Sequence, residues 1–378
     1  MPSTRRRFLN QSLAALTLAL GAGACGRRQD SVDAEGRVRL RVALPSRPDV
    51  RHAALYEAMA DGRYGTAGLN VQILIGESAA DVRRRLAAGQ AEVGILPGDF
   101  DLFDMIAEQA PVRAHAALFR RSSMGFAARR NTRLRSPSDL SGFRVLTDQS
   151  EDSPAGRWLV SVLEGVENVA LETGARPEML MPDEASAPPA EPASGPASGP
   201  APGPAADRSP EPPADALLED AGRERPVIWF GDLISSFTIV EEAFGEGVVR
   251  RTAAADGYNI HENLIVCPEA FSRDNPEVLA LFLETTLGAW REYLERAPEA
   301  AHALLIEANP DLTGESLVPV RHLINRFELA RAGAEDPGPI TPARLGASHA
   351  LAVSLQLSDE GLDWSRGLAE RPVDSEMF

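Results

Sequence analysis

Residues 38–98 constrain this chain most, because strand patterning and helix patterning alternate along them in a fixed order. Val38-Arg39-Leu40-Arg41-Val42-Ala43-Leu44 has the period of two expected at a half-covered sheet edge. Val71-Gln72-Ile73-Leu74-Ile75 and Val93-Gly94-Ile95-Leu96 read as short buried strands. Between them, Ala53, Ala54, Leu55, Ala58 and Met59 repeat at helical spacing up to a break over 62–68, and Val82, Leu86 and Ala87 form a second apolar stripe. Ser78 and Asp81 have the spacing of a capping box at the start of that second helix. Strands alternating with helices pair in parallel, and ligands on such sheets sit beyond the carboxyl ends of the strands. Those ends are where the polar residues gather.

Longer phrases carry a resemblance. Ala53-Ala54-Leu55-Tyr56-Glu57-Ala58, Gly68-Leu69-Asn70-Val71 and Leu86-Ala87-Ala88-Gly89-Gln90-Ala91-Glu92-Val93-Gly94 occur in that order. Ser136-Pro137-Ser138-Asp139-Leu140-Ser141-Gly142-Phe143-Arg144-Val145 follows, then Asn275-Pro276-Glu277-Val278 with Phe282, and Ala297-Pro298-Glu299-Ala300. In order and spacing, from about 38 to 367, these resemble the solute-binding proteins of ABC importers, in the class of nitrate, sulfonate, taurine and thiamine-precursor binders. The resemblance implies a two-lobed α/β fold of the type II periplasmic-binding kind, each lobe a mainly parallel sheet flanked by helices, with two crossing hinge strands. It implies capture of a small polar organic or oxyanion solute and delivery to a membrane permease and, through it, an ATPase. The alternative from another class is an exported sensory or scaffolding protein that keeps the binding fold without transport.

The N-terminus points to export. Thr4-Arg5-Arg6-Arg7-Phe8-Leu9-Asn10 precedes an apolar run over 13–24, the layout of a twin-arginine signal, and the run is too short to span a bilayer. Ala22-Gly23-Ala24-Cys25 reads either as a lipobox that lipidates Cys25 or as an A-x-A site for plain cleavage, and the polar stretch behind it favours the lipobox. The expected organisation is a signal over 1–25, a tether over 26–37, the first part of lobe one over 38–124, lobe two over 125–258, and completion of lobe one with C-terminal helices over 259–378. Residues 182–213 are almost wholly Pro, Ala, Gly, Ser and acidic, so they read as an insertion that cannot fold by itself. Helical patterning resumes at Ala216-Leu217-Leu218.

A net charge of −17 disfavours nucleic acid and anionic lipid as partners, so membrane contact is expected only through the lipid anchor; the expected state is a monomer. No nucleophile elbow, phosphate loop or zinc-protease motif is present, and the histidines at 52, 115, 261, 302, 322 and 349 lack metal spacing. Neither enzyme activity, cofactor nor metal is expected. One relative of this fold class builds a pyrimidine from its own histidine and a pyridoxal cofactor, but its cysteine-rich signature is missing here and the chain has no Lys to hold that cofactor. Cys267 reads as a buried hydrophobe, with pairing to His261 as the less favoured reading.

Candidate ligand contacts lie on the strand-end loops. Lobe one offers Ser46, Arg47, Glu77, Ser78, Asp99 and Phe100; the crossing segment offers Ser122 and Ser123; lobe two offers Asp148, Ser150, Ser153, Trp229 and Asp232. Arg47 is the most obvious anion partner. Ser78 and Ser153 also suit helix caps, Ser153 being followed by Pro154. Trp229 reads equally as a stacking surface or as core. The acidity of these loops argues against a bare anion and for an amine-bearing or zwitterionic solute.

Overall fold

The computed structural model of the chain describes residues 32–180, 225–296, 299–331 and 337–369. The expected signal with Cys25, residues 26–31 of the tether, the 182–213 insertion and the helix expected at Ala216 lie outside the described residues.

Two five-stranded sheets organise the fold. The first has the order β2-β1-β3-β10-β4, with β1 (Val38–Leu44), β2 (Leu69–Ile75), β3 (Val93–Gly98), β4 (Val112–Phe119) and β10 (Glu262–Pro268). The second has the order β7-β6-β8-β5-β9, with β5 (Met124–Ala128), β6 (Arg144–Thr147), β7 (Ala170–Thr173), β8 (Val227–Asp232) and β9 (Val249–Thr252). β2, β1 and β3 run parallel, as do β7, β6 and β8, while β10 and β5 run against their neighbours. Each opposing strand is the one that enters from the other sheet. The mainly parallel lobes and the crossing strands therefore have one topological origin.

β1 is not an edge strand. It lies between β2 and β3, and the exposed edge falls on β2, whose Gln72 and Ile75 face solvent. Arg39 and Arg41 produced the alternation by which β1 looked half-covered. The Arg41 guanidinium folds back onto Glu92, with Nη2 to Oε1 at 2.5 Å, so a charge is accommodated beside an interior strand.

Helices in chain order are α1 (Ala53–Ala60), α2 (Arg63–Thr66), α3 (Ala79–Ala87), α4 (Asp99–Ala107), α5 (Pro154–Leu163), α6 (Phe237–Phe244), α7 (Glu269–Asp274), α8 (Pro276–Glu295), α9 (Glu299–Ala308), α10 (Gly314–Arg326) and α11 (Pro342–Ser354). Their starts are written locally. Ser78 Oγ accepts from Asp81 N at 3.3 Å, and Ser153 Oγ accepts from Gly156 N at 3.1 Å with Pro154 in the first helical position. Each such cap is worth about 1 kcal/mol. α1 and α8 cover one face of the first sheet, and α3, α4 and α11 cover the other. α11 also joins the lobes, since Leu345 and Ala352 pack with the first sheet while Leu351 and Leu355 reach the core of the second. Arg344 fastens both crossing segments, donating from Nη2 to the Arg120 carbonyl and to Asn259 Oδ1.

Candidate functional site

Register places two polar edges face to face. In the first sheet the carboxyl ends of β1, β2 and β3 lie beside the end of β4 and the start of β10, where Glu262 pairs with Gly98 and Phe119. In the second, the start of β5 lies opposite the end of β8, Met124 with Asp232, and Thr147 at the end of β6 pairs with Phe230. Segments 120–123 and 253–261 connect these two edges, so loops from both lobes converge over the crossings.

At the centre of this convergence is a charged cluster built around Arg51. The β1 loop ends in a single turn over Val50–His52 that Asp49 caps by accepting from Arg51 N at 2.9 Å. Arg51 Nε also donates to Asp49 Oδ2 at 2.9 Å, and Arg51 Nη1 reaches across the lobes to Asp232 Oδ2 at 2.6 Å. The other oxygen of Asp232 accepts from Ile234 N and Ser235 N, which fixes the carboxylate at the end of β8. Asn263 adopts φ +52°, a left-handed conformation that Asn tolerates, and its amide donates to the Arg51 carbonyl at 3.1 Å. The strand that returns from lobe two thus holds the turn that carries Arg51.

Glu262 forms the floor. Ser122 Oγ donates to its Oε1 at 2.6 Å, Ser123 Oγ to its Oε2 at 2.8 Å, and the Ser123 amide to both oxygens at 3.1 Å. Burial between the lobes and the nearby Asp232 charge push the Glu262 carboxyl up to about 7, against the pull of the serine hydrogen bonds. Burial and, more weakly, Asp232 raise Asp148 as well, although Gln149 donates to it. For Asp49 burial works upward, but Arg51 and His52 outweigh it and hold the carboxyl far below the ordinary range. Burial opposes the Arg51 charge, and Asp49, Asp232 and Glu262 overcome that and raise it. One guanidinium therefore serves three carboxyl groups, with Asp148 at the rim.

The remaining candidates divide by position. Ser46 is part-exposed and donates to its neighbour's carbonyl, while Arg47 lies out at the rim, 66% exposed and paired with Asp311 at 3.0 Å. The cation that reaches the cleft is Arg51, four residues on, because the capped turn points it inward. Glu77 and Ser78 are exposed around the α3 cap. Ser150 is exposed and accepts through its carbonyl from Ser153 Oγ, itself the α5 cap. Asp99 is fully buried and accepts from His261 N at 2.9 Å and faces His261 Nδ1 at 3.1 Å, so it ties α4 to the crossing segment instead of facing a solute. Phe100 packs on Tyr258, ring centroids 6.0 Å apart, where the cores of the two lobes meet. Trp229 is core: it is 0% exposed, and its indole lies so close over Gly231 that a Cβ there would meet Nε1 at 2.7 Å. Alternation along β8 sends Phe230 to the opposite face, where it stacks on Trp158. Cys267 meets His115 rather than His261, Sγ to Nε2 at 3.1 Å, because β4 and not the α4 side borders that end of β10.

Sequence reasoning missed Asp49, Arg51 and Glu262. The Asp49-x-x-His52 spacing was a signal for the turn that aims Arg51; Glu262 gave none, since its role depends on Ser122 and Ser123 far away in the chain. No helix among the described residues is long and apolar enough to cross a membrane.

Residues 49–158 match the family model described as NMT1/THI5 like, a span that includes Asp49, Arg51, Ser122, Ser123 and Asp148. A search of curated proteins finds no match. Among solved structures, the chain is similar to the periplasmic aliphatic sulphonate binding protein SsuA of Escherichia coli, at 14% identity over 87% of this chain and 97% of that one, TM-score 0.53. It is similar at 9% identity over 88% and 96%, TM-score 0.53, to the ligand binding component of an ABC-type import system from Staphylococcus aureus. The Candida albicans CA3427 product, whose structure exhibits the generic periplasmic binding protein fold, matches at 11% identity over 89% and 97%, TM-score 0.51. Two sheets exchanging strands across a polar cleft, together with these likenesses, give the chain the two-lobed α/β fold of the periplasmic binding proteins, with an NMT1/THI5-like segment over residues 49–158.

Proposed function

We propose that the chain is an extracytoplasmic solute-binding protein that captures a small solute bearing a cationic nitrogen between its lobes and delivers it to an ABC importer. The observation that carries this reading is the Arg51 cluster, in which groups from both lobes and from the crossing strand meet at the facing strand ends. Export behind the N-terminal signal and anchoring through Cys25 belong to the same reading, as does the permease partner that the similar structures suggest.

The charge balance selects the solute class. Asp49 and Asp232 pair with a single guanidinium, Glu262 lies in its field and Asp148 lies beside Asp232, so a nitrate or alkanesulfonate without a cationic group meets net negative potential and competes with carboxylates for Arg51. An amine or amidine finds acceptors in Asp232 and Glu262, while Arg51 and the serine hydroxyls serve an anionic or hydroxyl group on the same molecule. Taurine and amino-substituted pyrimidines fit that description.

Thermal melts of the purified protein with taurine, aminopyrimidines, amino acids, nitrate and alkanesulfonates test it, since a solute bound only by the folded state raises the melting temperature. Amine-bearing solutes are expected to stabilise and the bare anions to leave the melt unchanged. Stabilisation by nitrate or alkanesulfonates alone would overturn the solute class. A panel without any effect would remove support from capture itself and favour the sensory or scaffolding alternative.

A further inference from the structure

We propose that Glu57, Asp61 and Glu292 form a site for a hard divalent cation at the end of α1 remote from the cleft. The three carboxylates, one ligand atom from each, lie within 4.8 Å of one another. Arg51 precedes α1, so the cluster lies about 9 Å (Glu57) to 15 Å (Asp61) along the helix from the cleft at 1.5 Å per residue.

Acidic side chains often gather on surfaces without a ligand, and here Arg63 already bridges Asp61, at 2.9 Å, and Glu292. Those two carboxylates are accounted for. Glu57 is not: it is 6% exposed, and its Oε2 has no hydrogen-bond partner among the described residues. It occupies a helix position whose neighbours Ala53, Ala54, Leu55, Tyr56 and Ala58 are all buried, so an apolar residue would suit the packing better. Leaving a buried carboxylate oxygen without a partner is costly. Burial and the Asp61 charge accordingly raise the Glu57 carboxyl.

The backbone adds to the negative field. Glu57 lies in the last turn of α1, Asp61 caps its C-terminus, and Glu292 lies in the last turn of α8, so two helices direct the negative ends of their dipoles at one spot. Each carboxylate has lone pairs beyond those that Arg63 uses, and Asp61, 43% exposed, opens the site to water that would complete a coordination shell. With oxygen donors only, the chemistry fits Ca²⁺, Mg²⁺ or Mn²⁺ better than a thiophilic metal. A bound ion would staple α1 to α8 over the first sheet.

Melts and isothermal titration of the purified protein with CaCl₂, MgCl₂ or MnCl₂ against EDTA test the site. Wild type is expected to gain melting temperature in at least one of these salts at millimolar concentration. Glu57→Gln is expected to lose that gain and, without metal, to melt above wild type. Arg63→Gln separates a cation site from a plain ion-pair network: it should bind the ion about tenfold tighter, the effect of removing a unit charge roughly 5 Å from a divalent ion in a water-like dielectric. Wild type indifferent to all three ions, Glu57→Gln retaining the metal gain, or Arg63→Gln binding more weakly would each overturn the proposal.

Discussion

β10 carries an ionisable side chain toward each end, and the two have opposite fates. Glu262 starts the strand between the lobes; Cys267 lies near its finish, in the core of lobe one. Burial raises both, Glu262 to about 7 and Cys267 to about 12. At Glu262 two hydroxyls and an amide stabilise the anion while Asp232 opposes it, and the result is a carboxyl that titrates near neutrality. At Cys267 the neighbour is His115, which burial and Arg113 bring down to about 4, so both partners stay neutral. Ser272 donors also pull the Cys267 thiol down, but burial outweighs them, and desolvation that its donors do not offset yields an inert group. Desolvation balanced by aimed donors and a nearby charge yields a poised one.

The largest expected effect comes from removing the cation on which the cleft depends. Arg51→Met leaves Asp49 and Asp232 without their shared partner, and breaking such a pair costs about 3–5 kcal/mol. Urea unfolding at neutral pH should register that loss, and the loss should shrink in acid as the carboxyls take up protons. A variant as stable as wild type at neutral pH would mean that the cluster is solvated, and the contrast between the two ends of β10 would lose its basis.

Glu262 sharpens the contrast through pH. Unfolded, it loses its proton near 4.5; folded, it keeps it to about 7, so between these values the native state binds more protons. Its contribution to stability is therefore full below pH 4.5 and declines as pH rises through 7, by up to about 3 kcal/mol. Glu262→Gln should remove that slope from the stability profile measured by denaturant melts between pH 4 and 8. The same variant should abolish the rise in affinity for an amine-bearing solute that deprotonation of Glu262 gives the wild type. An unchanged slope would show that the carboxyl titrates normally.

What was legible in the sequence follows the distance over which each feature is encoded. Ser78 and Ser153 were readable as caps because the donor lies three residues on. The crossing strands were readable because β4, β5 and β10 are apolar runs broken by polar residues. Arg47 and Arg51 look equivalent in sequence, and only the capped turn over Val50–His52 decides which enters the cleft. Trp229 and Phe230 were ambiguous because β8 is covered on both faces, so neither aromatic marks the cleft. Glu262 depends on Ser122 and Ser123 some 140 residues earlier, a contact that exists only once both lobes have formed.

The smallest effect tests the inert end. Cys267 is 0% exposed and its neighbour His115, held down to about 4, is too weak a base to ionise it, whereas a free thiol of ordinary acidity reacts readily above pH 8. Alkylation of the native protein, mapped to Cys267 by peptide mass, should proceed only as fast as unfolding exposes it. Cys267→Ala should cost about 1 kcal/mol, with no added pH dependence between pH 6 and 9. Rapid labelling at pH 8 would mean that His115 or the Ser272 donors activate the thiol after all, and that burial is not enough to silence a nucleophile.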